Sequence, residues 1–197
     1  MSYTGNSVTT ARNHNLGVSP ELIILKERGS SGFVGSNWGV WASPISSKSL
    51  FLNANNIEEQ YMTMAVTSTT FTDSGLDQNW NLSTYPYIAY LFASCPGVSK
   101  VGKYTGTGTT QSIDCGFTSG ARFLIIKRTD VIGDWYIWDS ARGIIAGDDP
   151  YILLNSANAE VTNTDYIDPY SLGFQISSTA PAEINANSGT YIFLAIA

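Results

Sequence analysis

The chain is 197 residues long, with 43% hydrophobic, 12% aromatic and 13% charged side chains and a formal net charge of −6. That apolar share can fill a core and excludes a disordered chain, while ten Lys and Arg scattered among sixteen Asp and Glu exclude a phosphate-binding surface for nucleic acid. The charged share is roughly half the usual 25%, so Ser, Thr, Asn and Gly must keep the surface wet, and their short side chains lose little rotamer freedom on burial, which suits packing into a larger assembly.

The chain opens on Met1-Ser2-Tyr3-Thr4-Gly5, which has neither the basic nor the apolar region of a signal peptide. No apolar run approaches the roughly 18 residues of a spanning helix, so membrane insertion is not expected. Leu22-Ile23-Ile24-Leu25-Lys26 follows, apolar on both faces as a covered central strand would be. Asn37-Trp38-Gly39-Val40-Trp41, Leu50-Phe51-Leu52-Asn53 and Tyr87-Ile88-Ala89-Tyr90-Leu91-Phe92-Ala93 are further short strands, separated by turn clusters such as Gly29-Ser30-Ser31-Gly32 and Asp73-Ser74-Gly75. At Cys95-Pro96-Gly97-Val98-Ser99-Lys100 the strand pattern breaks.

Beyond that break the plan repeats. Tyr104-Thr105-Gly106 stands in the same relation to Phe123-Leu124-Ile125-Ile126-Lys127 as Tyr3-Thr4-Gly5 does to Leu22–Lys26, the offset being 127 − 26 = 101 without a gap. Asp134-Trp135-Tyr136-Ile137-Trp138 answers to residues 37–41, and Ile152-Leu153-Leu154-Asn155 to residues 50–53. A Glu lies five residues past each Asn (Glu58, Glu160), and each copy ends in an apolar strand, the second being Tyr191–Ala197. No segment of twelve residues keeps a helical apolar period without interruption. The pattern therefore predicts an all-β protein of two tandem homologous antiparallel β-sandwich units, jelly-roll-like, with residues 1–95 and 104–197 as the units and 96–103 as a linker. A single pseudo-symmetric sandwich is the other arrangement the duplication allows.

The second copy carries a resemblance. Tyr104-Thr105-Gly106-Thr107-Gly108, Phe123–Arg128, Trp135-Tyr136-Ile137-Trp138-Asp139-Ser140-Ala141-Arg142-Gly143, Leu153–Glu160, Leu172-Gly173-Phe174 and Asn185–Tyr191 resemble a repeat module of virion proteins of tailed bacteriophages, particularly phages of cyanobacteria and marine bacteria. The first copy follows the same plan but has Ala42-Ser43-Pro44 where the second has Asp139–Arg142. The resemblance implies a non-enzymatic virion structural protein of the tail fibre or tail tip, made in the host cytoplasm and engaged in host recognition. Its expected partners are other virion proteins and itself, as a homo-oligomer with a trimer favoured. A capsid decoration (cement) protein and a polysaccharide depolymerase are the alternatives.

Candidate chemistry is sparse. Hydrolysis needs a nucleophile with an oriented base or two facing carboxylates. The only histidine, His14, stands where the other copy has Cys115, which a catalytic dyad would not tolerate. Glu58 and Glu160 read as strand-end hydrogen bonds inherited by duplication, and Cys95 and Cys115 lack partners at metal-site spacing. No cofactor is expected. Asp73, Asp77 and Asn79 place oxygens at alternate positions of one loop, a weak candidate for a hard cation, with an ordinary polar turn preferred. Asp148-Asp149 before Pro150 reads as a solvated turn. Binding to a host glycan has more support, because aromatic rings stack on sugar faces and Asn supplies hydrogen bonds. Trp80, flanked by Asn79 and Asn81, has no counterpart in the second copy and is the first candidate, with Tyr136 and Trp138 next because both faces of their strand are aromatic or apolar. Trp38 and Trp135 recur and read as core. Residues 1–101 carry five basic and six acidic side chains (5 − 6 = −1) and residues 102–197 five and ten (5 − 10 = −5), a solvated face in the second copy.

Overall fold

β-branched, leucine and aromatic residues in runs of three to seven, punctuated by Gly, Asn, Asp and Ser, form strands wherever the runs occur. The computed structural model describes residues 1–29, 37–45, 47–59, 62–73 and 80–197, with backbone alone at Asp73. The first unit comprises Met1–Asn53 and Glu58–Ala93, the second Ala54–Ile57 and Ser94–Ala197.

In unit 1 the strands are β1 (Ser2–Thr4), β2 (Ala11–Asn13), β3 (Leu22–Glu27), β4 (Gly39–Ala42), β5 (Ser49–Phe51), β6 (Met64–Val66), β7 (Thr70–Asp73) and β8 (Pro86–Phe92). In unit 2 they are β9 (Ser99–Thr105), β10 (Gln111–Asp114), β11 (Phe123–Arg128), β12 (Trp135–Asp139), β13 (Ile152–Leu153), β14 (Ile167–Tyr170), β15 (Gly173–Ile176) and β16 (Thr190–Ile196), with one helical turn, α1 (Ala182–Asn185), before the last. The sheets match strand for strand. Orders β1-β8-β3-β4-β5 and β2-β7-β6 in unit 1 recur as β9-β16-β11-β12-β13 and β10-β15-β14 in unit 2, and the pairings within each sheet are antiparallel. The chain is thus all-β, with two sandwich units and a core in each: Ile23, Leu25, Trp41, Phe71, Trp80 and Tyr87 in one, Leu124, Ile126, Trp138, Phe174, Ile184 and Tyr191 in the other. Two separate cores dispose of the single shared sandwich. Eight strands per unit is the jelly-roll number, but they divide five and three because β4 and β5, like β12 and β13, continue the first sheet as a meander.

The expected linker, residues 96–103, is mostly strand. Ser99–Lys103 belong to β9, whose seven residues pair with the whole of β16. What remains is a tight turn over Cys95–Val98, closed by bonds between Cys95 and Ser99 and eased by Gly97 at φ 72°. Its Pro-Gly pair reads as a joint, yet the strand resumes two residues later.

The duplication extends to individual hydrogen bonds. Asn53 Oδ1 accepts the Trp38 N–H at 2.8 Å and its Nδ2 donates to Asn37; Asn155 does the same with Trp135, at 2.8 Å, and Asp134. Tyr3 stacks on Tyr87 with centroids 5.1 Å apart, and Tyr104 on Tyr191 at 4.8 Å. Their hydroxyls donate to the carbonyls of Trp80 and Ile184. The recurring Tyr-Thr-Gly is explained at its glycine: a Cβ on Gly5 would lie 2.0 Å from the Leu82 carbonyl oxygen, and one on Gly106 2.3 Å from that of Ala186. Glu58 pairs with Lys48 and Glu160 with Arg142, each tying the loop before β5 or β13 to the chain after it.

Candidate functional site

The aromatic candidates from the sequence are interior. Trp80 is 2% exposed and Trp138 fully buried, each in its unit's core, with Tyr136 beside Trp138 in the second. Asn81, 1% exposed, is a brace: its Oδ1 accepts the Asn6 N–H and its Nδ2 donates to the Val8 carbonyl. Asn185 makes the same bonds to Thr107 and Thr109, each 101 residues on. That brace aligns Asn81 with Asn185, and so Trp80 with Ile184, six or seven residues before the stacked Tyr87 and Tyr191. Trp80 therefore has a counterpart, and the reading of Trp80, Asn81, Tyr136 and Trp138 as surface groups is corrected. The signal was the equal spacing from Asn to Tyr. Asn79 and Asp77 lie outside the described residues, and Asp73 ends β7.

A difference of size explains why the tryptophan looked unique. Gly39 in β4 corresponds to Tyr136 in β12. A Cβ on Gly39 would come within 2.3 Å of the Trp80 ring. Unit 1 thus sets a tryptophan over a glycine, where unit 2 has a tyrosine and an isoleucine at the two corresponding positions of its core, a reversal of large and small.

Asp149 is also corrected, from solvated turn to fully buried carboxyl. Its two oxygens accept the N–H groups of Tyr166 at 2.7 Å and Ile167 at 3.0 Å, pinning the loop before β13 to the start of β14. Burial pushes the carboxyl up to about 7, against those backbone donors, which favour the charged form. Lys127, likewise fully buried, donates to the carbonyls of Asn56 and Arg128, and burial lowers its ammonium to about 8 against the pull of Asp134 and Asp130. Both groups serve the scaffold.

Among the described residues two features of unit 1 bring exposed or unpartnered groups together, and both were missed by the sequence reading. The first is an aromatic platform. Tyr90 of β8, 42% exposed, stacks on half-buried Trp38 with centroids 6.3 Å apart and planes 22° from parallel, and Lys26 Nζ lies 6.0 Å from the Trp38 ring centre. Alternation puts all three on the face of the five-stranded sheet opposite Trp41, Tyr87 and Ala89. Unit 2 has buried Trp135, Leu194 and Lys127 at these positions. Trp38 was expected in a strand and in the core; it lies one residue before β4 and is only half-buried.

The second feature is a slot of about 400 Å³ lined by Met1, His14, Asn15, Leu16 and Ala89–Phe92. His14 is buried, its Nδ1 accepts the Leu16 N–H at 3.2 Å, and its Nε2 has no partner. In the corresponding place in unit 2, burial pushes the Cys115 thiol up to about 12, with Lys100 pulling it back. Among the described residues no three His, Cys, Asp or Glu side chains come together as metal ligands, and no helix is long and apolar enough to cross a membrane.

No curated protein and no solved structure matches the chain. One family does, and it spans both units, so the duplication lies inside what the family counts as one domain. The chain belongs to the family described as a domain of unknown function, DUF7483, which matches residues 1–197.

Proposed function

We propose that the chain is a non-enzymatic structural protein of a tailed-phage virion, in the tail fibre or tail tip, which attaches to host-surface glycan through unit 1. The observation that carries the reading is the Tyr90–Trp38 platform with Lys26 at its rim. Two near-parallel rings on a rigid sheet offer a flat apolar surface to a sugar face at small entropic cost. Only one of two otherwise matching units exposes it, which is the expected result when one copy keeps the scaffold and the other acquires a contact. The recurring glutamates support the same reading, since each is engaged in an ion pair within its unit. The low charge and polar loops suit packing with neighbouring virion subunits, a trimer being the expected form.

A glycan array with purified protein tests it. Binding that falls at least tenfold in Tyr90→Ala, a change at an exposed position that leaves the core intact, supports host attachment. No glycan binding together with tight association to capsids would move the protein to a decoration role. Release of reducing ends from host polysaccharide would overturn the non-enzymatic reading. Cryo-electron microscopy of the virion then locates the protein.

A further inference from the structure

The connection after the second tryptophan differs between the units. Trp41 and Trp138 correspond, as do Leu50 and Ile152, which pair with Val40 and Ile137. Eight residues (42–49) separate them in unit 1 and thirteen (139–151) in unit 2, an excess of 13 − 8 = 5 residues. The longer loop carries Ile144-Ile145-Ala146 between Gly143 and Gly147, whose φ of 128° and 98° disfavour residues with a Cβ. Ile144 packs on the core, while Ile145 is 54% exposed and Ala146 is exposed beside it. Both ends of the loop are fastened. Arg142 pairs with Asp139 and Glu160 at the first. At the second the Gly147 N–H stabilises the Asp168 carboxylate, and buried Asp149 holds the N–H groups of Tyr166 and Ile167. Ile145 thus stands on an anchored stem.

The second end is also acidic. Asp148 is exposed, and burial, followed by the like charge of Asp165, raises the Asp168 carboxyl above its ordinary value. Asp165 Oδ1 is buried without a hydrogen-bond partner, and among the described residues no Lys, Arg or His pairs with Asp165 or Asp168. Two like charges held near each other without a cation disfavour the fold that keeps them.

We infer that this loop is a docking finger for a basic segment of a partner protein, with Ile145 packing among the segment's apolar side chains while its Lys or Arg meet Asp148, Asp165 and Asp168. One short segment reaches both kinds of group. Ile145 and Asp148 are three residues apart, so at most about 11 Å separates their Cα atoms, and Asp168 lies at Gly147 between them. Unit 1, with its shorter loop and Ala42-Ser43-Pro44 in place of Asp139–Arg142, has neither the tip nor its footing. A lipid surface fits less well, because anionic headgroups repel these carboxylates. A second copy of the chain fits less well too, with ten basic side chains against sixteen acidic ones. The inference depends neither on the glycan platform nor on a virion origin.

A displayed library of random dodecapeptides selected on the full chain tests it. The ligands should combine Lys or Arg with Leu, Ile, Val or Phe and bind about tenfold more weakly to Ile145→Ser, whose melting temperature is unchanged because the side chain is exposed. Asp168→Asn should weaken them by a similar factor. It keeps an oxygen for the Gly147 N–H and removes the repulsion with Asp165, so its melting temperature should hold or rise while binding falls, an opposition that a purely structural carboxylate does not give. Tyr90→Ala should leave peptide binding unchanged, which separates this site from the glycan platform. A library without basic and apolar ligands, ligands indifferent to Ile145→Ser, or a lower melting temperature in Asp168→Asn would each overturn the inference. So would binding of vesicles of phosphatidylcholine and phosphatidylserine that depends on Ile145, which makes the loop a lipid contact, or calorimetric binding of calcium lost in Asp168→Asn, which makes the carboxylates a metal site.

Discussion

At the residue scale, two of the buried ionisable groups of unit 2, Asp149 and Lys127, shape its response to pH around neutrality. Asp149 titrates near 7 when folded and near 3.8 otherwise. Between those values the unfolded chain has lost a proton that the folded chain keeps, so stability falls as pH rises through that window. Lys127 titrates near 8 when folded and 10.5 otherwise, so between those values the folded chain has lost the proton first and stability rises with pH. From these groups unit 2 is expected to be less stable at pH 7–8 than at pH 4, by up to about 4 kcal/mol, and to regain stability toward pH 9, above which the buried Cys115 thiol, raised from 9.0 to about 12, works against Lys127. Urea midpoints followed by unit 2 tryptophan fluorescence check this, and Asp149→Ser should flatten the acid limb alone. A midpoint rising steadily from pH 5 to 7 would contradict the assignment. The Gly39 and Trp80 pair gives a second expectation. Gly39→Ala should cost about 1–3 kcal/mol by overpacking, and much less in Trp80→Ile, which restores the pairing by size used in unit 2. Additive losses in that double-mutant cycle would mean the two positions do not share a space.

Element-scale comparison shows what the sequence could and could not reveal. Strand segments were legible because apolar and aromatic runs ended at turn residues, and the repeated Tyr-Thr-Gly, Trp-x-x-Trp and Asn positions are now tied to a stacked pair, a core ring and a backbone brace. Trp80 was misread because its counterpart is an isoleucine, and a volume exchanged between two strands leaves no trace at either position taken singly. The platform was invisible for a related reason: Tyr90 belongs to an apolar terminal strand, and only the register between β3, β4 and β8 brings it over Trp38. The asparagine braces are the elements most open to test. Asn185→Ala leaves the Thr107 N–H and the Thr109 carbonyl without these partners, and Asn81→Ala does the same to Asn6 and Val8. Each should lower stability by about 1–3 kcal/mol and speed amide exchange at Asn6 or Thr107. Unchanged exchange would show that the brace is dispensable.

The whole molecule is two folding units of one plan, each with its own core. A fragment of residues 94–197 carries all eight strands of unit 2 but lacks Ala54–Ile57, which contributes the Asn56 carbonyl to the Lys127 ammonium and the Asn55 carbonyl to the Gly133 N–H. The fragment should fold, yet be less stable than unit 2 in the full chain by about 2–4 kcal/mol, with Lys127 leaving one acceptor behind. Calorimetry of the fragment and the full chain compares the two, and a fragment that fails to fold would show that the second unit is not autonomous.

Duplicated chains face a hazard during synthesis and refolding, since a strand of one half can enter the sheet of the other. The Gly39/Trp80 and Tyr136/Ile184 exchange gives each half a lock that rejects its twin's key. A hybrid core would meet either tryptophan with tyrosine, too large for the space, or glycine with isoleucine, which leaves a void. Making the halves alike, with Gly39→Tyr and Trp80→Ile together, should then lower refolding yield and raise the share of misassembled or swapped species on size exclusion even if the native state is no less stable. A refolding yield equal to that of the parent would leave the exchange as packing alone.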